Sequence, residues 1–275
     1  MSHCKTIAIV NQKGGVGKTT STVNLGVGLA KEGNRVLLVD DDPQNSLTIC
    51  LGTSNPDDDL DTTLATAMYA EIRDEPVPWE DAIIHNSEGV DLLPANIELS
   101  GVELSLFNAM SREQVLKSVL NQVKDRYDYI LIDCMTSLGL MTVNALVAAD
   151  SVIIPSQPNF LSTKGLNLLV RTISRVRRQI NPKLKIDGIL MTMVDSRTNN
   201  AQKIIASLRS TVGGSIRVFD TEIPRSVRAA EASGVGKSIF AFDSKGKVAQ
   251  AYASLTKEVM ELEKGSDRSR PDGAR

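Results

Sequence analysis

The chain has few aromatic residues (4%), only three cysteines, and no apolar run long enough to cross a bilayer. Each shortage excludes something. Cys4, Cys50 and Cys134 are widely spaced and odd in number, so they form neither a metal-ligand pair nor a disulfide framework. That pattern fits a reducing cytoplasm. Sparse aromatics argue against a stacking platform for single-stranded nucleic acid. No charged-then-apolar leader precedes the first strand, no internal repeat is apparent, and no linker divides the chain. The expectation is a soluble, cytoplasmic protein with no membrane partner.

What is present is ordinary in bulk and uneven in detail. Over 275 residues, 41% are hydrophobic and 23% charged, with a formal net charge of −2, as in a globular chain able to bury a large core. Residues 54–103 carry thirteen acids against the single base Arg73, whereas residues 164–247 carry sixteen bases against six acids. One acidic and one basic surface are implied, and the basic one could meet a polyanion. Two simply solvated faces would read the same way.

Short apolar runs alternate with helical patterns, the rhythm of a mostly parallel twisted sheet flanked by helices. Strands are expected at 6–10, 35–40, 90–93, 129–133, 151–155, 186–193 and 217–219. Helices are expected at 19–32, 111–126, 140–148, 164–179, 200–210 and 247–262. Ser111 and Gln114 read as a capping box, and Gly33 and Asn181-Pro182 as helix stops. Ser54–Pro78, acidic and with three prolines, reads as an irregular surface excursion with a short helix near Leu64–Ile72. One domain over residues 1–264 and a disordered tail at 265–275 complete the outline.

Between the first strand and first helix stands Lys13-Gly14-Gly15-Val16-Gly17-Lys18-Thr19-Thr20. Glycines there let the backbone wrap a phosphate chain, and the amides opening the helix donate to its oxygens. Lys18 would reach the β- and γ-phosphates and the Thr19 hydroxyl would complete a Mg2+ shell. The usual Gly-x4-Gly-Lys-Ser/Thr spacing requires glycine at position 12, where this chain has Gln12, and it adds Lys13 at the loop's mouth. Strand 35–40 runs into Asp40-Asp41-Asp42-Pro43-Gln44, placing carboxylates where ligands sit in open α/β sheets. Tyr129-Ile130-Leu131-Ile132-Asp133 is a buried strand ending in an acid, the Walker B pattern, and Asp133 would hold Mg2+.

The loop resembles the deviant Walker A ATPases, a group with the three-layer P-loop NTPase fold. Within that superfamily the chain resembles the ParA/Soj partitioning ATPases over roughly residues 5–260. Supporting motifs are residues 11–20, Asp42-Pro43-Gln44, Asp133 with Ser137-Leu138-Gly139, residues 188–198, and residues 223–232. The start directly at the first strand resembles the short class without an N-terminal helix-turn-helix domain. The resemblance implies ATP and Mg2+ as ligands, with Lys13 reaching the other subunit's nucleotide in an ATP-dependent homodimer. It implies catalytic roles for Lys13, Lys18 and Asp42, the last positioning the attacking water. Gly14, Gly15, Val16, Gly17, Thr19, Thr20, Met193 and Pro224 would contact nucleotide, with Thr19, Asp40 and Asp133 around the metal. It further implies nonspecific binding of double-stranded DNA, with Arg197, Arg225, Arg228, Lys245 and Lys247 as candidates, on the nucleoid. A ParB-like centromere-binding partner would stimulate hydrolysis.

Three departures stand out. Cys134-Met135-Thr136 replaces the family's proline-containing switch turn, Asn45-Ser46 replaces Gly-Asn, and Asp41 adds a charge where an apolar residue is usual. Three alternatives are weighed. A MinD-like membrane organiser would need a basic amphipathic C-terminal helix, where this chain has Glu258, Glu261 and Glu263. A metabolic ATPase of the same fold would need a substrate pocket. An iron–sulfur reductase would need a partner for Cys134.

Overall fold

The computed structural model describes residues 4–159, 162–195 and 199–268. Eight strands form one sheet: β1 (Lys5–Ile9), β2 (Val36–Asp41), β3 (Ile84–His85), β4 (Asp91–Leu93), β5 (Tyr129–Cys134), β6 (Ser151–Ser156), β7 (Lys185–Val194) and β8 (Val218–Pro224). Their order is β3-β4-β2-β5-β1-β6-β7-β8. Every pairing is parallel except β3 with β4. The apolar runs of β2 and β5 are buried along their whole length, as strands covered on both faces must be.

Alternation along the strands builds two cores. Ile7, Ile9, Leu38 and Leu131 face the helices Lys18–Lys31 and Lys247–Arg268, where Leu25, Leu29, Tyr252 and Leu255 close the layer. Ala8, Leu37, Val39, Ile130 and Ile132 face the other way, toward the helices Leu64–Ile72, Leu99–Leu106, Val115–Asn121, Leu140–Ala148 and Ser162–Gln179. The result is a single-domain, three-layer α/β fold.

The structure corrects four expectations. The segment after Ser54 carries the expected helix at Leu64–Ile72, but that helix is core and not surface: Leu64, Ala65, Ala67 and Met68 are fully buried, and a capping box between Thr63 and Thr66 opens it. The Ser111–Gln114 box does not form, because Ser111 lies at φ +50° and its helix begins at Val115. Asn144 caps that helix instead, accepting from the Leu116 amide (3.1 Å) and donating to the Arg112 carbonyl (2.8 Å). The expected helix 111–126 also breaks after Asn121 into a separate 3-10 turn at Lys124–Arg126. The last helix continues six residues beyond Leu262 to Arg268, since no proline interrupts it before Pro271, so residues 265–268 are helical. Residues 269–275 of the expected tail lie outside the described residues.

Burial of the Leu64–Ile72 helix is testable. Met68→Ala should cost about 2–5 kcal/mol by urea denaturation, the range for truncating a buried methionine. A loss below about 0.5 kcal/mol would return this segment to the surface.

Candidate nucleotide-binding site

The loop joins the C-terminal end of β1 to the helix Lys18–Lys31. Gly15 (φ +67°) and Gly17 (φ +82°) adopt left-handed conformations that side chains resist. Such alternation turns successive amides toward one point and makes an anion-binding concavity. The corresponding carbonyls then face outward and need donors of their own. Thr192 Oγ1 donates to the Val16 carbonyl (2.7 Å) and Gln157 Nε2 to that of Gly15 (2.7 Å). Asn11 fixes the loop's first turn, donating to the Pro155 carbonyl (2.7 Å) while its Oδ1 accepts from the Lys13 amide (3.0 Å). Gln12, where the usual motif has glycine, donates to the Gly165 carbonyl (2.9 Å). The loop is thus held from the ends of β6 and β7 and from the start of the helix Ser162–Gln179.

Lys18 is only 8% exposed. Asp133, the penultimate residue of β5, lies beside it, and Thr22 Oγ1 donates to its Oδ1 (3.2 Å). Burial pushes the Asp133 carboxyl up to about 6, opposed by a hydrogen bond from Thr19 and the charge of Lys18. Asp40 is in register with Asp133 on the neighbouring strand, so both point toward the loop helix. Its Oδ2 accepts from the Thr48 amide (2.8 Å) and hydroxyl (2.7 Å), while its buried Oδ1 has no partner among the described residues. Burial, with the nearby Asp133, raises Asp40 to about 8.

These groups suit magnesium. Among the described residues, no cluster of three acidic, His or Cys side chains forms a complete metal cage. Mg2+ needs none, since it takes one or two carboxylates and completes its shell with phosphate and water. Asp133, the Thr19 hydroxyl and the unpartnered Asp40 oxygen are the candidate donors.

Asp41 points to the opposite face of the sheet. Neither of its buried oxygens has a hydrogen bond among the described residues. Burial, then the nearby Asp40, raises its carboxyl well above the usual range. Its charged form is therefore strongly disfavoured where it stands. Asp42 lies just beyond β2, half-buried, with Oδ1 accepting from the Gln44 amide (3.0 Å). Thr136 of the altered switch faces the loop, 4.0 Å from where a Cβ on Gly14 would stand. Beyond it, Glu103 accepts from the Leu140 amide (3.0 Å) and fixes the start of the next helix.

Met193 is 39% exposed, at φ +51° in an irregular stretch of β7, and its Cε lies 3.8 Å from a Cβ built on Gly17. Pro224, ending β8, lines a crevice of about 270 Å3 with Val194, Lys247 and Gln250. Arg225, Lys245 and Lys247 are exposed. Arg228 is exposed too, but its guanidinium approaches Asp243 (4.0 Å), Glu231 (3.8 Å) and the Phe242 ring (5.4 Å). This basic group is therefore interleaved with acids. Arg197 lies outside the described residues. A larger crevice, about 560 Å3 around Arg35, Trp79 and Tyr127, opens at the N-terminal ends of β2 and β5, away from the loop.

Gln157, Thr192 and Glu103 carry no role in the sequence reading. Gln157 had one available signal: a polar residue just past a buried strand, at the ligand-bearing end of a parallel sheet.

Comparison with known proteins agrees with this geometry. A family model described as an AAA domain matches residues 4–186. The sporulation initiation inhibitor protein Soj of Bacillus subtilis is 44% identical over 93% of this chain and 98% of its own. The chromosome partitioning protein ParA of Caulobacter vibrioides is 40% identical over 94% and 95%. A crystal structure of cobyrinic acid a,c-diamide synthase from Mycobacterium smegmatis, with bound ATP analogue and magnesium, superposes with a TM-score of 0.83. It is 34% identical over 96% of both chains. The chain belongs to the ParA/Soj family of partitioning ATPases.

The raised carboxyls set a pH dependence. An acid whose folded value lies above its unfolded one binds more protons when folded, so its contribution to stability falls as pH rises between the two. For Asp133 and Asp40 that window runs from the ordinary carboxylate range up to about 6 and about 8 respectively. Magnesium requires the ionised form. The rise in melting temperature produced by ATP with Mg2+ should therefore grow from pH 5 to pH 8, while the nucleotide-free protein loses stability. A ligand-induced rise independent of pH would contradict the assignment.

Proposed function

We propose that this ATPase is a nucleotide-controlled DNA-partitioning switch. It binds ATP with Mg2+, and the nucleotide joins two copies in a sandwich dimer. The dimer binds double-stranded DNA without sequence preference, and hydrolysis stimulated by a ParB-like partner releases it, moving a plasmid or chromosome. The observation that carries this reading is that the loop and the basic residues share one edge of the sheet. Lys13 and Lys18 stand at the C-terminal end of β1, and Arg225 stands just past β8. Lys247 lines the same crevice as Pro224.

In this reading Lys18 and the amides of Gly14 to Thr20 hold the phosphates, and Thr19, Asp133 and Asp40 surround magnesium. Met193 and Pro224 flank the base, and Asp42 positions the attacking water. Lys13 reaches the partner's nucleotide. Among the described residues its ammonium has no ion-pair partner, which suits a charge that meets phosphate from another copy. DNA contacts would come from Arg225, Arg228, Lys245 and Lys247.

Two observations count against a membrane role. No helix among the described residues is long and apolar enough to cross a membrane. The apolar face of the last helix (Val248, Tyr252, Leu255, Val259) is already spent on the core. A second reading, a metabolic enzyme using ATP, is favoured by the diamide synthase likeness. DNA binding measured with ATP, with ADP and without nucleotide, at two salt concentrations, separates the two. ATP-dependent, salt-sensitive binding supports partitioning, and no binding at low salt supports the metabolic enzyme.

Asp42→Ala should retain ATP binding while turnover falls roughly 100-fold, the scale of a lost general base. Normal hydrolysis would remove Asp42 from its role. Arg225→Ala with Arg228→Ala should weaken DNA binding uniformly across sequences and lower the salt slope by about one per lost phosphate contact. ATPase activity without DNA should persist.

A further inference from the structure

We infer that Gln157 is a positioning residue for the ATPase reaction, holding the phosphate loop in its binding shape and tying it to Met193. The inference rests on the loop being the triphosphate site. A loop that turns its amides inward must find donors for its outward carbonyls. At Val16 the donor is Thr192, from the strand that flanks the site, and that bond is buried. At Gly15 the carbonyl is exposed and water could serve it. It is met instead by a side chain 142 residues away, Gln157 Nε2 at 2.7 Å.

The same nitrogen lies 3.0 Å from Met193 Sδ. A primary amide carries two N–H donors, so one group can bridge the crown of the loop and the exposed end of β7. Both ends of the bridge have left-handed backbone, which Gly15 (φ +67°) adopts freely and Met193 (φ +51°) does not. Left-handed backbone at a methionine persists only where its surroundings enforce it. Gln157 is itself steadied, its Oε1 accepting from Asn159 Nδ2 (3.3 Å).

Gln157 touches no position assigned to a reacting atom. Its effect should fall on nucleotide affinity more than on the chemical step. Two substitutions remove the donors differently. Gln157→Leu deletes them at similar size. Gln157→Glu keeps the shape but sets a carboxylate against two acceptors and close to the phosphates, and should be worse.

The test measures KM for ATP, kcat, and nucleotide-free melting for both variants beside Lys18→Ala. The expected result is KM raised roughly 3- to 10-fold by Gln157→Leu, the equivalent of one or two hydrogen bonds. Gln157→Glu should raise it further. In both, kcat should fall less than KM rises, and the nucleotide-free melting temperature should barely move. Equal loss of kcat and nucleotide-free stability, or an unchanged KM, would overturn the inference. If Lys18→Ala kept its affinity for ATP, the loop assignment itself would fall; if only the Gln157 variants were silent, the loop would stand without this brace.

Discussion

A phosphate loop imposes one geometric demand from which most of this site follows: its amides must face inward, so its carbonyls cannot. Glycines at positions 15 and 17 make the turn possible without strain on a side chain. The outward carbonyls then recruit Thr192 and Gln157 from β7 and β6, and Asn11 anchors the entry. The same turn carries Lys18 into the interior, where an ammonium is costly without a counter-charge. Asp133 supplies part of that charge, and the triphosphate supplies the rest.

Strand alternation decides what each aspartate can do. Asp40 and Asp133, in register on β2 and β5, face the loop helix; burial raises both, and the nearby Asp133 adds to the rise at Asp40. Asp41 is one residue on and faces the opposite core, where burial raises its carboxyl beside Cys134 and within the field of Glu103. Asp42 escapes the sheet and remains half-buried at the site's rim. Three adjacent carboxyls thus acquire three different surroundings from the pleat and from the end of the strand. The switch segment that follows Asp133 is bounded by Thr136 against Gly14 and by Glu103 at the helix start.

Much of this was legible beforehand because it depends on local pattern. The continuous apolar runs of β2 and β5, the glycine loop and the stop at Gly33 (φ +87°) all appear where periodicity and turn chemistry put them. What escaped depends on contacts distant in sequence. Asn144 caps a helix 28 residues away and displaced the box expected at Ser111. The helix at Leu64–Ile72 was legible, but the acidic composition around it hid that one of its faces is core. Edge strand β3, two residues long, has too little pattern to read. Gln157 and Thr192 matter through partners 142 and 176 residues away, a relation no local window contains.

In the proposed switch, the nucleotide held by this loop is shared between two copies of the chain through Lys13. Sedimentation of the wild-type protein and Lys13→Ala, each with saturating Mg2+–ATP and with ADP, tests it most directly. The expected result is a wild-type dimer with ATP, a monomer with ADP, and a Lys13→Ala protein that binds ATP but stays monomeric. A dimer that forms equally well without Lys13, or a single mass in every nucleotide state, would contradict it.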